Sequence, residues 1–223
     1  MTSMSTTGSY YHDFTNNKII NSGRYGWYMS SVTNTASARG QFVNNMIGGG
    51  FSSTSAQGLY MSSSSYWDIF FNSINIDNQV SSTTATAIYT TSAQYLDIRN
   101  NHFALTHPNI NSGSIFPMYM NNASTSLVCD YNNFFKFGST SNFVRVNGSV
   151  YNASNFKGGG GFNTNSYFLN PAFESNTDLH TSNGCATGVA ISGITKDYDG
   201  DNRNTVPSIG ADEGGILDAS VDR

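Results

Sequence analysis

An asparagine recurs along this chain at Asn17, Asn45, Asn72, Asn101 and Asn133, in steps of 28, 27, 29 and 32 residues. Two places after each stands a large apolar residue: Ile19, Ile47, Ile74, Phe103 and Phe135. The segments that carry the pair read DFTNNKI (13–19), QFVNNMI (41–47), IFFNSI (69–74), DIRNNHF (97–103) and CDYNNFF (129–135), with YNASNF (151–156) as a weaker sixth copy. The interval is too long for a heptad and too regular for chance, so the chain is built from repeats. A tyrosine motif runs in phase with it, as GWYMSS (26–31), GLYMSSSS (58–65), AIYTTS (87–92) and PMYMNN (117–122).

Each repeat holds two short segments of alternating polarity, separated by stretches rich in Gly, Ser, Thr and Asn, a pattern that predicts strands joined by turns. In the tyrosine segment, Trp27, Leu59, Ile88, Met118 and Val144 take one position, and Met29, Met61, Thr90, Met120 and Val146 take the position two later. Residues two apart share a strand face, so both columns point into the core. Tyr28, Tyr60, Tyr89, Tyr119 and then Arg145 must point outward. A unit that buries one face and recurs at constant period is best satisfied by stacking each copy on the last. Stacked strands lie roughly 4.8 Å apart, so like sits over like. Asparagine suits that position because its amide donates to one neighbour and accepts from the other. The pattern predicts an all-β parallel β-helix with an asparagine ladder at a turn. A propeller would need four strands per repeat, and a sandwich does not require one residue at one place in every repeat.

Composition narrows the function classes. Of 223 residues only 11% are charged and 38% are hydrophobic, with a net charge of −4 and no Lys/Arg cluster, which argues against a nucleic-acid partner. No apolar run approaches membrane-spanning length, so membrane insertion is not expected. The opening MTSMSTTGSYYHDF lacks the basic and apolar regions of a signal peptide. Cys129 and Cys185 fit either one disulfide or two buried thiols.

The repeats resemble the right-handed parallel β-helix superfamily that includes pectate lyases and many bacterial surface proteins, over about residues 10–156. The period breaks from KGGGGFNTNSYF (157–168) onward, which divides the chain into coils (1–156) and a tail (157–223) packed on the same solenoid. This tail is similar to the terminal region of choice-of-anchor Q proteins, through Pro171, Phe173, Asp178, Leu179, His180, Ala186, Asp197, Asp199, Gly200, Arg203 and Ile209 to Glu213. Asn170, Thr181, Cys185 and Thr187 depart from that pattern. The resemblance implies right-handed coiling and a secreted or surface-displayed β-helix, here a fragment or mature form without signal and anchor. Physically, the tail is expected to cap the last coil with Phe162, Tyr167, Phe168, Phe173 and Leu179. The segment TGSYYHDF is short cover for the first coil, which leaves room for a missing segment or a second subunit.

Three features carry chemistry. DYDGDN (197–202) sets Asp197, Asp199 and Asp201 at alternate positions beside a glycine, an oxygen-rich turn that suits Ca²⁺ or is a tight acidic turn paired with Arg203. The outward file Tyr28, Tyr60, Tyr89, Tyr119 and Arg145, beside Ser30, Ser62, Thr91 and Asn121, is either a sugar-contacting strip or a structural stack of rings. Elimination from a uronate polymer would need a basic proton acceptor and a cation for the carboxylate; Arg99, His102 and Lys18 are weak candidates. Asp13, Asp68, Asp97 and Asp130 read as turn acceptors, and His12, His102, His107 and His180 as surface or turn residues without metal-ligand spacing. Three sequons, at Asn122, Asn147 and Asn152, would matter only in a glycosylating host. The expectation is a non-catalytic secreted or cell-surface module for adhesion, display or contact with a polysaccharide or surface glycan, requiring no cofactor. The alternatives are a polysaccharide lyase or glycoside hydrolase acting on an acidic polysaccharide, and a unit that self-associates end to end or meets a protein partner.

Overall fold

The computed structural model describes residues 11–78, 84–107, 114–122, 126–138, 141–181 and 186–214. The first coil comprises β1 (Asp13–Thr15), β2 (Lys18–Ile20) and β3 (Tyr25–Ser30). The second has β4 (Gly40–Val43), β5 (Met46–Gly48), β6 (Gly50–Phe51) and β7 (Ser55–Ser62). The third has β8 (Ser65–Phe70), β9 (Ser73–Asn78) and β10 (Thr84–Thr91), and the fourth β11 (Gln94–Arg99), β12 (His102–Leu105) and β13 (Ser114–Asn121). The fifth has β14 (Val128–Asp130), β15 (Asn133–Lys136) and β16 (Val144–Val146), and β17 (Ser149–Tyr151) follows. Like strands of successive coils pair in parallel, giving a first sheet β1-β4-β8-β11-β14, a second β2-β5-β9-β12-β15 and a third β3-β7-β10-β13-β16-β17. The chain is a parallel β-solenoid.

Each coil has three principal strands where the sequence suggested two. A motif such as QFVNNMI is bent in its middle, because Asn44 adopts a left-handed conformation and ends β4 before β5 begins. The same corner is turned by Asn16, Phe71, Asn100 and Tyr131, all with φ between 52° and 61°. Asparagine tolerates that conformation; Phe71 and Tyr131 adopt it against their own preference.

The residue after each corner turns inward and builds the ladder. The side-chain amide of Asn17 donates to Oδ1 of Asn45 (2.8 Å), Asn45 to Asn72 (2.9 Å), Asn72 to Asn101 (2.9 Å) and Asn101 to Asn132 (2.9 Å). The fifth rung is therefore Asn132, not Asn133, and the apolar column beneath it ends in Phe134, not Phe135. The doublets Asn132-Asn133 and Phe134-Phe135 allow either register by spacing. The corner at Tyr131 decides, because it leaves Asn133 beside His102 on the outer face of the second sheet.

The two columns of the tyrosine segment pair in register and bury Leu59, Met61, Ile88, Thr90, Met118, Met120, Val144 and Val146. They meet Phe42, Trp67, Ile69, Ile74, Phe103 and Phe134 in one continuous core. Each such fully buried large apolar side chain contributes about 1.5–3 kcal/mol.

The coils stop at Val146. Asn147 and Gly148, both with positive φ, form a two-residue reversal, and β17 returns antiparallel with Val146 opposite Ser149. No sixth coil begins at YNASNF; Tyr151 ends the hairpin, and Phe156 with Phe162 and Phe168 covers the exposed end of the core.

Beyond Phe168 the tail behaves differently from an end cap. It runs back along the corner between the first and second sheets as a strap. Leu179 packs on Met46 near the opposite end of the solenoid, and Ile191 and Ile194 cover Val43, Phe70 and Phe71. The corner asparagines hold it: the side-chain amides of Asn16, Asn44 and Asn100 donate to the carbonyls of Tyr198, Lys196 and Val189. Gly210 (φ 101°) sits so close to His102 and Ser73 that any Cβ there would collide with the imidazole.

Candidate functional site

The third sheet presents the tyrosine file on its outer face. Tyr28, Tyr60, Tyr89, Tyr119 and Arg145 are consecutive register partners. The rings stack nearly parallel, with centroids 4.9, 5.3 and 4.9 Å apart, and the Arg145 guanidinium lies 4.7 Å from the centre of Tyr119. Ser30, Ser62, Thr91 and Asn121 form a second register row two residues along, on the same face. Because each ring shades the next, the file offers ring edges and hydroxyls rather than ring faces. Tyr28, at 40% exposure, is its most open member, and Tyr25 packs edge-on against it. Tyr89 has its pKa raised, by burial first and then by Tyr119 and Tyr60, so the phenol stays neutral and keeps its proton to donate. Stacking of this kind is worth about 0.5–1.5 kcal/mol per pair, so the file also stiffens the sheet.

The three weak catalytic candidates do not converge. Lys18 and His102 do share a column, but Met46 and Ser73 stand between them. His102 is buried under the strap, edge-on to Phe173, and burial pushes its pKa down to about 3, so it is a neutral packing residue and not a surface one. Arg99 is tied to Asp97 by two bonds of 2.7 Å. Asp68 pairs with Arg39 at 2.5 Å, and Asp97 lies beside Asp68 in register on the first sheet. Asp68 and Asp97 are thus ion-paired strand residues rather than turn acceptors. Only Asp130 accepts locally, from the backbone of Tyr131, while also binding Asn165.

The acidic turn is organised around its first carboxylate. Asp197, fully buried, accepts the N–H groups of Asp199 (3.0 Å) and Asp201 (2.8 Å) on Oδ1 and of Glu213 (3.0 Å) on Oδ2. Asp199 faces Nε2 of His180 at 2.8 Å, and Nδ1 of His180 meets Asp178. Burial opposes a charged imidazole, but the bonds to Asp178 and Asp199 outweigh it and raise the His180 pKa. Arg203 pairs with Glu213 rather than with the aspartates of the turn, donates also to Asn44, Gly210 and Ala211, and lies 3.8 Å from the centre of Phe71. The three aspartates are therefore not gathered around one point; among the described residues the grouping with metal-ligand spacing is His180, Asp199 and Asp212.

Cys129 is a free, buried thiol whose pKa is pushed up by burial, with Sγ 3.2 Å from Oδ1 of Asn163. Cys185 lies outside the described residues. A second aromatic pair escaped the periodicity: Tyr66 and Tyr95 stack at 4.3 Å on the next corner, both with positive φ. Their common offset from Asp68 and Asp97 was the available signal.

Fold and surface together define a parallel β-solenoid with a strapped corner. No family model, curated protein or solved structure matches the chain.

Proposed function

We propose that this chain is a non-catalytic β-solenoid module of a secreted or surface-displayed protein, and that it contacts polysaccharide along the tyrosine file. One observation carries the proposal: the in-register row of phenols, one per coil, ending in Arg145. A row of donors at constant spacing suits a ligand that is itself periodic, and an extended polysaccharide lying along the row meets an equivalent hydroxyl at every coil. The parallel row Ser30, Ser62, Thr91 and Asn121 gives such a polymer further polar partners. Similarity of the tail to choice-of-anchor Q proteins supports the surface setting. Its motif residues Asp197, Arg203, Gly210 and Glu213 are engaged in holding the strap, which leaves the outer face of the third sheet for contact.

The test is sedimentation of the purified protein with insoluble neutral and acidic polysaccharides, with unsaturated product followed in the same samples, with Ca²⁺ and with chelator. Binding without product, weakened by Tyr60→Ala and Tyr89→Ala in folded protein, is expected. Product release would replace the module by a lyase, and binding indifferent to both substitutions would remove the file from the site.

A further inference from the structure

A groove of about 390 Å³ lies between the outer face of the second sheet and the strap. Its floor includes Asn75 and Phe135, which stand in one register column with the small Ala104 between them. Asp77 and Thr106 stand on the same face one step along, and Phe137, 47% exposed, forms a rim. The strap supplies the opposite wall with Asn170 and Phe173.

Asn75 points to a ligand. Its side chain is 98% buried (2% exposed) and lines the groove. Its Oδ1 accepts from the Thr106 hydroxyl at 2.9 Å, while its Nδ2 finds no protein acceptor among the described residues. This nitrogen is not among the buried polar atoms left without a partner, so it opens onto the groove, where it can donate to an acceptor brought there. The chemistry of the wall selects that acceptor. Among the described residues no Lys or Arg lines the groove, so phosphates and carboxylates lack a counter-charge there, and the one charged residue among them, Asp77, accepts from Asn176 at 2.6 Å. What remains is a set of amides and the hydroxyls of Thr106 and Ser175 around three phenylalanine rings. A sugar ring matches this set, with an apolar C–H face for the rings and hydroxyls for the amides.

We propose that this groove binds one pyranose ring of a neutral glycan, with Asn75 donating to a ring substituent and Phe137 packing on the sugar face. The site is independent of the tyrosine file, on another sheet. Its test is an NMR titration of the folded protein with D-glucose, D-galactose, D-mannose and N-acetylglucosamine, with D-glucuronate as the anionic comparison, in wild type, Phe137→Ala, Asn75→Ala and Tyr60→Ala. Saturable shifts at Thr106 and Phe173 with a neutral sugar are expected, about tenfold weaker in Phe137→Ala, a 1.4 kcal/mol change. They should be unchanged in Tyr60→Ala, so that failure of the file and failure of the groove are told apart. Phe137 is a rim residue, so its truncation tests the site even if Asn75→Ala does not fold. No saturable shift with any neutral sugar, a preference for glucuronate, or binding unaffected by Phe137→Ala would overturn the proposal.

Discussion

Replacing Asn72 with alanine should cost far more than the same change at Asn17, although both are rungs of one ladder. Asn72 is fully buried, accepts the backbone N–H and the side-chain amide of Asn45 at 2.9 Å each, and donates to the carbonyls of Phe42 (2.8 Å) and Phe70 (3.0 Å) and to Asn101 (2.9 Å). Alanine removes all five bonds and leaves the Asn45 N–H without an acceptor where water does not reach. One orphaned buried donor costs about 1–3 kcal/mol and each further lost bond about 1, partly offset by shared partners, so the whole comes to about 3–5 kcal/mol. Asn17 is only partly buried, and its side chain donates to Thr15 and Asn45 alone, so its truncation should cost about 1 kcal/mol. Urea unfolding followed by fluorescence of the buried Trp67 measures both variants in one assay. Losses equal to within about 0.5 kcal/mol would refute the ladder as an energetic unit, since that is the scatter of independent surface substitutions.

Two further outcomes follow from the strap and one from the core. Arg203→Ala leaves the buried Glu213 carboxylate without its cation, at a cost of about 3–5 kcal/mol; limited proteolysis should then cut the tail while the coils persist, and an uncut tail would contradict the pairing. His180, whose folded pKa is raised, stabilises the wild type over His180→Gln fully below about pH 6.5, and the advantage is lost as pH rises through the folded value. Melting temperatures across neutral pH check that sign, and a difference that grows with pH would reverse it. The Cys129 thiol should resist a thiol reagent in the native protein and react once unfolded; fast native labelling at this residue would place it elsewhere than the core.

The coils were legible because stacking writes one residue choice into every turn: the tyrosine file and both core columns follow from alternation alone. The ladder was legible to within one residue, and it slipped where adjacent duplicates, Asn132-Asn133 and Phe134-Phe135, made spacing ambiguous. The split of each asparagine motif into two strands was hidden because a left-handed corner residue leaves no composition of its own when it is Phe71 or Tyr131. The tail was the least legible. Its partners are single asparagines and carbonyls as far as 182 residues away, a separation that carries no periodic signal. The burial of His102 follows from that strap, so the imidazole could not be placed without it.

Repeat proteins ordinarily lengthen by copying a unit, because each unit consults only its neighbours. Here the strap consults distant ones. It touches Asn133 in the fifth coil, Met46 in the second, Asn100 in the fourth and Asn16 in the first, each by a specific contact. Duplicating one coil would shift every contact beyond the insertion by roughly 4.8 Å, more than a hydrogen bond can stretch. The strap therefore acts as a ruler: a fixed length of irregular chain that admits one number of turns between its anchors at Asn16 and Asn133.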